Sequence, residues 1–498
     1  MSARWRKPPS PPSPELAHPE PEPTDVSTPD PGSFRDPASR VVIDGDKVVR
    51  LLDERGLEGW RSLSATKFFR TAVADGRLIE SVEVDPPDGS AAALAHPRLD
   101  FISYPYEWTF SMLRDAALLQ LDLLEGALGA GLTIKDATPY NVQFVDGRPV
   151  FIDLGSFEAY RSGEPWIGYR QFTRQFLFPL LLRAWAGVPF QPWLRGDLEG
   201  PTAEQMAKLL PAGKRLNTSA LLHVRLQARM ESRMGDRSVR RELGEAGFTA
   251  DLILANVRKL KKLVDSLEWE GADQGWSTYV ECSHVTRDRA TKGEFLEAAL
   301  DRLGSRRVVD LGANDGHFSQ IAAAKGALAV AVDSHEPVLD ALYRGRPGPG
   351  LAIVLTDLAN PSPSQGWAGR ERPSLMERAR PDLVIAYGLI HHLIYGASIP
   401  PREVVRWLSS FGCPVLVEFV SPADEMVVKL VGNKLPHELH PGGEEADFRA
   451  LLQQHFAPVA EQALGEGTRV LFALEPLPRA GGEPAITTGG EPTMITDG

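Results

Sequence analysis

Two sets of side chains in this sequence have the types and spacing of groups that hold or activate a ligand. The first lies in RRVVDLGANDGHFSQIAAAKGALAVAVD, residues 306–333. Val308 and Val309 read as a buried strand that Asp310 closes. Gly312 and Gly316 flank a tight turn that opens a helix, and ALAVAVD reads as a second strand ending in Asp333. Such a βαβ unit puts glycines where backbone must approach a ligand. It also puts a carboxylate where it can accept hydrogen bonds from two ribose hydroxyls. A dinucleotide fingerprint needs a further glycine to admit the pyrophosphate, and Asn314 stands there instead. Asp310 adds negative charge where a pyrophosphate would be repelled. The turn therefore suits a ligand without phosphates, carrying a ribose, an adenine, an amino-acid end and a sulfonium.

The second set lies in GLTIKDATPYNVQFVDGRPVFIDLGSFE, from Gly131 to Glu158. Asp136 stands five residues before Asn141, and Asp153 ends an apolar run further on. That is the layout of a phosphoryl-transfer site, with one Asp to orient a hydroxyl and an Asn and a second Asp to hold magnesium.

The elements that position these groups follow from periodicity. Alternating apolar runs around Asp44-Gly45 in RVVIDGDKVVRLL predict a hairpin. A helical stretch is expected through WRSLSATKFFRTAVADG, closed by Gly76, then strands in RLIESVEV and LDFISYPYEW. The amphipathic TFSMLRDAALLQLDLLEGALGAG predicts a long helix leading into the second set, and VQFVDGRPVFI a hairpin inside it. From Tyr160 to about Glu268 the pattern is helical, with AEQMAKLL and DLILANVRKLKKLVDSL the clearest stretches. From about Arg306 strand-length apolar runs alternate with helices, the pattern of a parallel α/β sheet. The expected fold class is thus α/β, a Rossmann-like domain preceded by an α+β region and a helical region.

A chain of 498 residues exceeds one ordinary core. The composition divides it into a Pro-rich disordered tail (1–39), an α+β region (40–160), a mainly helical continuation (161–270), a C-terminal domain (271–476) and a second disordered tail (477–498). The formal charge of −12 excludes a broad nucleic-acid footprint, and the Arg-rich stretch RLQARMESRMGDRSVRR reads as a solvated helical face. Cys282 and Cys413 are the two cysteines, far apart and without a His/Cys cluster at metal spacing. No metal site or disulfide framework is expected, and a reducing compartment fits. Cys413 reads as a small buried apolar residue. No apolar run reaches the roughly 18 residues of a membrane span, and the basic N-terminus lacks the apolar core of a secretory signal. The expected location is the cytoplasm.

The first set resembles the first motif of class I S-adenosylmethionine-dependent methyltransferases. The resemblance runs over about residues 275–476, through VLTDLANP, RPDLVIAYGLIHHL, PVLVEFVSPADEMV and HFAPVAEQALGEGTRVLFALEP. It implies a seven-stranded sheet and S-adenosylmethionine as cofactor. It further implies that Asp310, Gly312, Asn314, Gly316, Asp333, Asp357 and Tyr387 line the cofactor site, with Asp357 accepting from the adenine amino group. Methyl transfer from a sulfonium needs positioning and water exclusion above all. Where the acceptor must lose a proton, His392, beside His391 after the fourth strand, and Glu418 at the end of the fifth are the candidate bases. Tyr279 and Lys292 are further candidates in a segment expected to fold over the cofactor.

The second set resembles the catalytic loop and the metal-binding Asp-x-Gly of protein kinases and aminoglycoside-type phosphotransferases. Ile134 stands where that family carries a His, and neither a Gly-rich loop nor a Val-Ala-Ile-Lys segment is present. Asp136, Asn141 and Asp153 therefore read as a vestigial nucleotide site in a non-catalytic domain. The alternative is a bifunctional or regulatory protein whose N-terminal region binds ATP and magnesium. The whole chain is similar to a group of nodulation-associated bacterial methyltransferases, through KDATPYNVQF, GRPVFIDLGSFE, GEPWIGYRQFTRQFLFPLLL and VEFVSPADEMV. That resemblance implies a small-molecule or glycan acceptor, while the acidic charge and the short apolar runs argue for neither nucleic acid nor membrane as partner.

Overall fold

The computed structural model describes residues 28–87, 89–211, 249–269, 283–464 and 467–478. The Arg-rich stretch, Tyr279, Cys282 and most of both tails lie outside the described residues. Order starts earlier than composition suggests. Strand β1 (Thr28–Pro29) pairs with β2 (Ser39–Asp44), and Asp30 N–H donates to the Val41 carbonyl at 2.9 Å.

The N-terminal sheet is antiparallel throughout. β2 and β3 (Lys47–Leu52) form the expected hairpin, turning at Gly45 with φ 56°. β3 then pairs β5 (Ala92–Pro97), which pairs β4 (Val82–Val84). One expectation fails here. LDFISYPYEW forms no strand but a loop with one 3-10 turn (Pro105–Glu107), and the Ala-rich segment before it supplies β5 instead. The helical stretch expected before Gly76 comes as two helices, α1 (Glu54–Ser64) and α2 (Lys67–Ala74). Thr66 separates them, its side chain accepting from the Phe69 N–H as a new N-cap.

Helix α3 (Phe110–Gly129) is the central post of the N-terminal region, capped by Thr109 and buried along most of its length. It delivers the chain to β6 (Leu132–Ile134), whose partner is β9 (Phe157–Ala159). Between them β7 (Val142–Val145) and β8 (Arg148–Phe151) make the expected hairpin. The helix Ala250–Asp265 buries Ile253, Val257, Leu260, Leu263 and Val264 in the same core as α3, so the helical stretch and the α+β region share one interior.

The C-terminal sheet has seven strands: β10 (Arg307–Leu311), β11 (Leu328–Asp333), β12 (Leu351–Leu355), β13 (Leu383–Ala386), β14 (Val415–Val420), β15 (Phe456–Leu464) and β16 (Arg469–Pro476). Their spatial order is β12-β11-β10-β13-β14-β16-β15. The first five run parallel, and β16 enters antiparallel between β14 and β15. This is the class I methyltransferase fold. The order reverses at β10, so the crevice between the ends of β10 and β13 is where such a sheet takes its ligand.

The N-terminal core does not stop at the sheet. Leu339, Tyr343, Ile353 and Leu355 from the C-terminal domain belong to it, so this flank of the sheet is covered by the N-terminal region. Among the described residues no helix is long and apolar enough to cross a membrane.

Candidate functional site

The loop after β10 is shaped by backbone geometry that few residues tolerate. Gly312 has φ 80°, and the Gly312 and Ala313 N–H groups both donate to the Val332 carbonyl, at 2.8 and 3.0 Å. Asn314 follows at φ 52°, a left-handed position that Asn accepts better than most residues. Gly316, at φ 74°, opens the helix His317–Ala324; a Cβ there would lie 2.6 Å from a Leu342 methyl. The glycine thus lets two helices close against each other beneath the turn.

Asp333 ends β11, as the spacing predicts. Its two oxygens accept from the Asn314 N–H (2.9 Å) and the His335 N–H (2.8 Å), so the carboxylate is aimed and the turn is tied to it. Asp310 behaves differently. It is buried, and Ser319 donates to it at 2.6 Å from the first turn of the helix. Burial pushes its carboxyl up to about 7, against the pull of the Ser319 hydrogen bond. Asp310 braces the helix from beneath the turn. Asp357 lies exposed just past β12, its carboxylate accepting from the Ala359 N–H at 2.9 Å.

Tyr387 follows β13, buried, its ring edge-on to Phe318 at 5.0 Å. Its hydroxyl and the Asn314 side-chain oxygen are buried with no hydrogen-bond partner among the described residues. Orphaned polar atoms of this kind are costly unless a ligand or water meets them. They lie on the loops after β10 and β13, on either side of the switch point, and fit a polar ligand in that crevice.

Glu418 is buried, as expected of a carboxylate at the sheet's edge, but it does not end its strand. It sits inside β14 with no exposed surface. One oxygen accepts from Gly388 N–H at 2.7 Å and Lys292 Nζ at 2.8 Å; the other faces Arg469 at 3.3 Å. Arg469 also forks onto Asp424 at 2.8 and 2.9 Å. Burial alone would raise Asp424, but the Arg469 hydrogen bonds outweigh it and bring the carboxyl down to about 2. The chain Lys292–Glu418–Arg469–Asp424 therefore fixes the Tyr387–Gly388 turn from below. Lys292 is brought to the site on the helix Ser283–Leu303, which also reaches the turn after β10 through an Arg289–Asp315 ion pair of 2.8 Å.

His391 and His392 follow, their rings 4.2 Å apart where the helix relaxes into a π turn, His392–Gly396. Burial, then the neighbouring His392, lowers His391 to about 3, and burial lowers His392 also. Both are neutral near pH 7. The buried Nδ1 of His391 has no partner among the described residues.

In the N-terminal region the structure brings Asp136, Asn141 and Asp153 together and occupies Asn141 and Asp153 internally. The Asn141 amide donates to Ser156 Oγ at 3.1 Å, and that hydroxyl donates to Asp153 at 2.5 Å. The other Asp153 oxygen pairs with Arg50 at 2.9 Å. Asp136 is raised, first by burial and then by the charge of Asp153. Arg50 comes from β3 and holds Ser39 as well, at 3.0 Å. Among the described residues no three His, Cys, Asp or Glu side chains converge as a metal cage. Cys413 is buried, and burial pushes its thiol up to about 12, an inert side chain as expected.

Sequence reasoning missed Arg469, Asp424, Arg50 and Ser156. Arg469, Asp424 and Arg50 act across a strand pairing or a long loop, so local spacing carries no trace of them, whereas Ser156 stands three residues after Asp153 and lay within reach of a local reading. The charge of Arg50 within the otherwise apolar VVRLL was a further available signal.

No family model matches the chain. Solved structures with the same type of fold include the N-methyltransferase NodS from Bradyrhizobium japonicum WM9 in complex with S-adenosyl-L-homocysteine. It is 13% identical, with a TM-score of 0.30, covering 42% of this chain and 94% of that one. WbdD is 20% identical with a TM-score of 0.27, covering 39% of this chain and 40% of its own. At these scores the fold assignment rests on the strand order, not on the superpositions. Over 463 residues, 89% of this chain and 95% of the relative, the sequence is 32% identical to the nodulation protein NoeA of Rhizobium meliloti strain 1021. The chain belongs to the NoeA family.

Proposed function

We propose that the protein is a methyltransferase using S-adenosylmethionine, with a kinase-like N-terminal region that no longer transfers phosphate. The carrying observation is the pairing of an aimed carboxylate, Asp333, with the orphaned Asn314 Oδ1 and Tyr387 hydroxyl around a phosphate-free glycine turn. When bound, S-adenosylmethionine supplies an electrophilic methyl group on a sulfonium. Asp333 would accept from its ribose hydroxyls and Asp357 from its adenine amino group, with Gly312 leaving room for the backbone to approach it. Tyr387 and Phe318 wall the crevice and keep water out, which sustains the displacement. His392, neutral near pH 7, takes the acceptor's proton where one must leave. Glu418 holds the Tyr387–Gly388 turn in place rather than moving a proton.

The acceptor is a small molecule or a glycan, and the reaction belongs in the cytoplasm, where two distant cysteines stay reduced. The alternative of ATP and magnesium in the N-terminal region is disfavoured because Arg50 and Ser156 already satisfy Asp153. Calorimetric titration tests both halves. Binding of S-adenosylmethionine lost in Asp333→Ala, with no response to ATP and magnesium, supports the assignment. Failure of the wild type to bind S-adenosylmethionine defeats it, and an ATP response abolished by Asp153→Ala restores the two-chemistry alternative.

A further inference from the structure

The loop that leaves β12 carries Asp357 and then meets the N-terminal region. Arg195, on the short helix Gln191–Gly196, reaches across to it with both terminal nitrogens of its guanidinium. One nitrogen donates to the Asn360 carbonyl at 2.9 Å, and the other to the Asn360 side-chain oxygen at 3.1 Å and the Pro361 carbonyl at 2.9 Å. The grip is returned, since the Gln365 amide donates to the Arg195 carbonyl at 3.0 Å. Within the loop, Asn360 N–H donates to the Asp357 carbonyl at 3.0 Å, and Ala359 N–H to the Asp357 carboxylate. Arg195 therefore holds the far side of the turn whose near side presents Asp357. Thr356 N–H, one residue earlier, donates to the Asp333 carbonyl at 2.8 Å, so the same turn is joined to the ribose end of the site.

Given the cofactor assignment above, we propose that Arg195 is a positioning residue of the cofactor site: from the N-terminal region it fixes the Asp357 turn, and with it the selectivity for adenine. A guanidinium suits this role because its rigid fork spans several acceptors at once, which an ammonium cannot do. Arg195 is only partly buried, on a short helix at the surface, so its removal leaves the core intact. The N-terminal region thus contributes to cofactor recognition, a task separate from any hold on the acceptor.

The test uses the full chain, with S-adenosylhomocysteine and its inosine analogue, which carries a keto oxygen where adenine has its amino group. Wild type should bind the adenine compound about tenfold tighter or more, because the keto oxygen would face the Asp357 carboxylate. Arg195→Ala should weaken S-adenosylhomocysteine and bring the ratio of the two affinities towards one, with Arg195→Lys between. A merely structural role would weaken both ligands alike and keep the ratio. An unchanged ratio in a folded Arg195→Ala protein overturns the proposal while leaving the methyltransferase assignment standing. Wild type that binds neither compound defeats both. Should Arg195→Ala fold poorly, Gln365→Ala loosens the same loop and must lower the ratio in the same direction.

Discussion

Replacing Glu418 by Gln separates a brace from a base. The carboxylate has no exposed surface, and its cationic partners Lys292 and Arg469 have side chains only 12% and 14% exposed. Removing one member of a buried ion pair costs about 3–5 kcal/mol, because the other charge is left in a poor solvent. Arg469 is partly protected by its fork onto Asp424, and a Gln oxygen can still accept the Gly388 N–H. The stranded group is Lys292. The expected loss is therefore near the lower bound, about 3 kcal/mol, or roughly 6–12 °C in melting temperature for a domain of this size.

Thermal melts of wild type, Glu418→Gln, Lys292→Met and the double variant, with S-adenosylhomocysteine affinity measured alongside, form the assay. The double variant should recover part of the loss, with a coupling of about 1–3 kcal/mol. Cofactor affinity should fall in Glu418→Gln and return partly with it, because the Tyr387–Gly388 turn depends on the same contacts. A Glu418→Gln protein that melts within about 1 °C of wild type yet transfers no methyl group would refute the brace and make Glu418 the base.

Three other outcomes can be measured directly. Asp310 sits above the roughly 4 of an unfolded Asp, so its contribution to stability is complete below pH about 4 and lost as pH rises to about 7. Asp310→Asn, which cannot ionise, should melt higher than wild type at pH 8, by up to the order of 4 kcal/mol, with the gain shrinking towards pH 4; a gain independent of pH would contradict this. Gly316→Ala must place a methyl at φ 74° against Leu342, and urea denaturation should show a loss of about 2 kcal/mol or more. Asp153→Ala strands Arg50 and should lower stability by about 1–3 kcal/mol without altering the calorimetric response to ATP and magnesium.

What the sequence made legible was what is local. The turn from Asp310 to Asp333 is one βαβ unit, and its glycines and terminal carboxylate are set by spacing alone. Helix α3 and the β2–β3 hairpin were readable for the same reason, periodicity and turn chemistry within one segment. Strand β5 was not, because AALAHP has weak strand propensity and becomes a strand by pairing β3 on one side and β4 on the other. LDFISYPYEW misled in the opposite sense. Its aromatic residues look like a strand, but Phe101 and Tyr104 serve as platforms for the Arg378 guanidinium, at 5.3 and 4.4 Å. The bracing of Glu418 joins residues 51 and 126 positions apart, and no spacing rule reaches that far.

The junction between the two halves is better described as shared interior than as a docking face. Glu336 and Asp340, one turn apart on the helix Glu336–Arg344, are both buried, and carboxylates so placed are tolerated only when their charge is met. Glu336 is met by Arg183 at 2.6 Å, the Phe110 N–H at 3.0 Å and the Gln191 amide at 3.2 Å; Asp340 is met by the Ser111 N–H and hydroxyl at 2.8 and 2.9 Å. The two acceptors thus satisfy the open N–H groups of α3, where the positive end of the helix favours negative charge. On the other flank, Arg378 of the C-terminal domain pairs with the fully buried Glu107. Sliding the halves apart would strand three carboxylates and two arginines at once, a cost far beyond the energy of thermal hinge motion. The N-terminal region can therefore act on the C-terminal site through a fixed geometry, and the helix it grips begins three residues after the carboxylate that would hold the ribose.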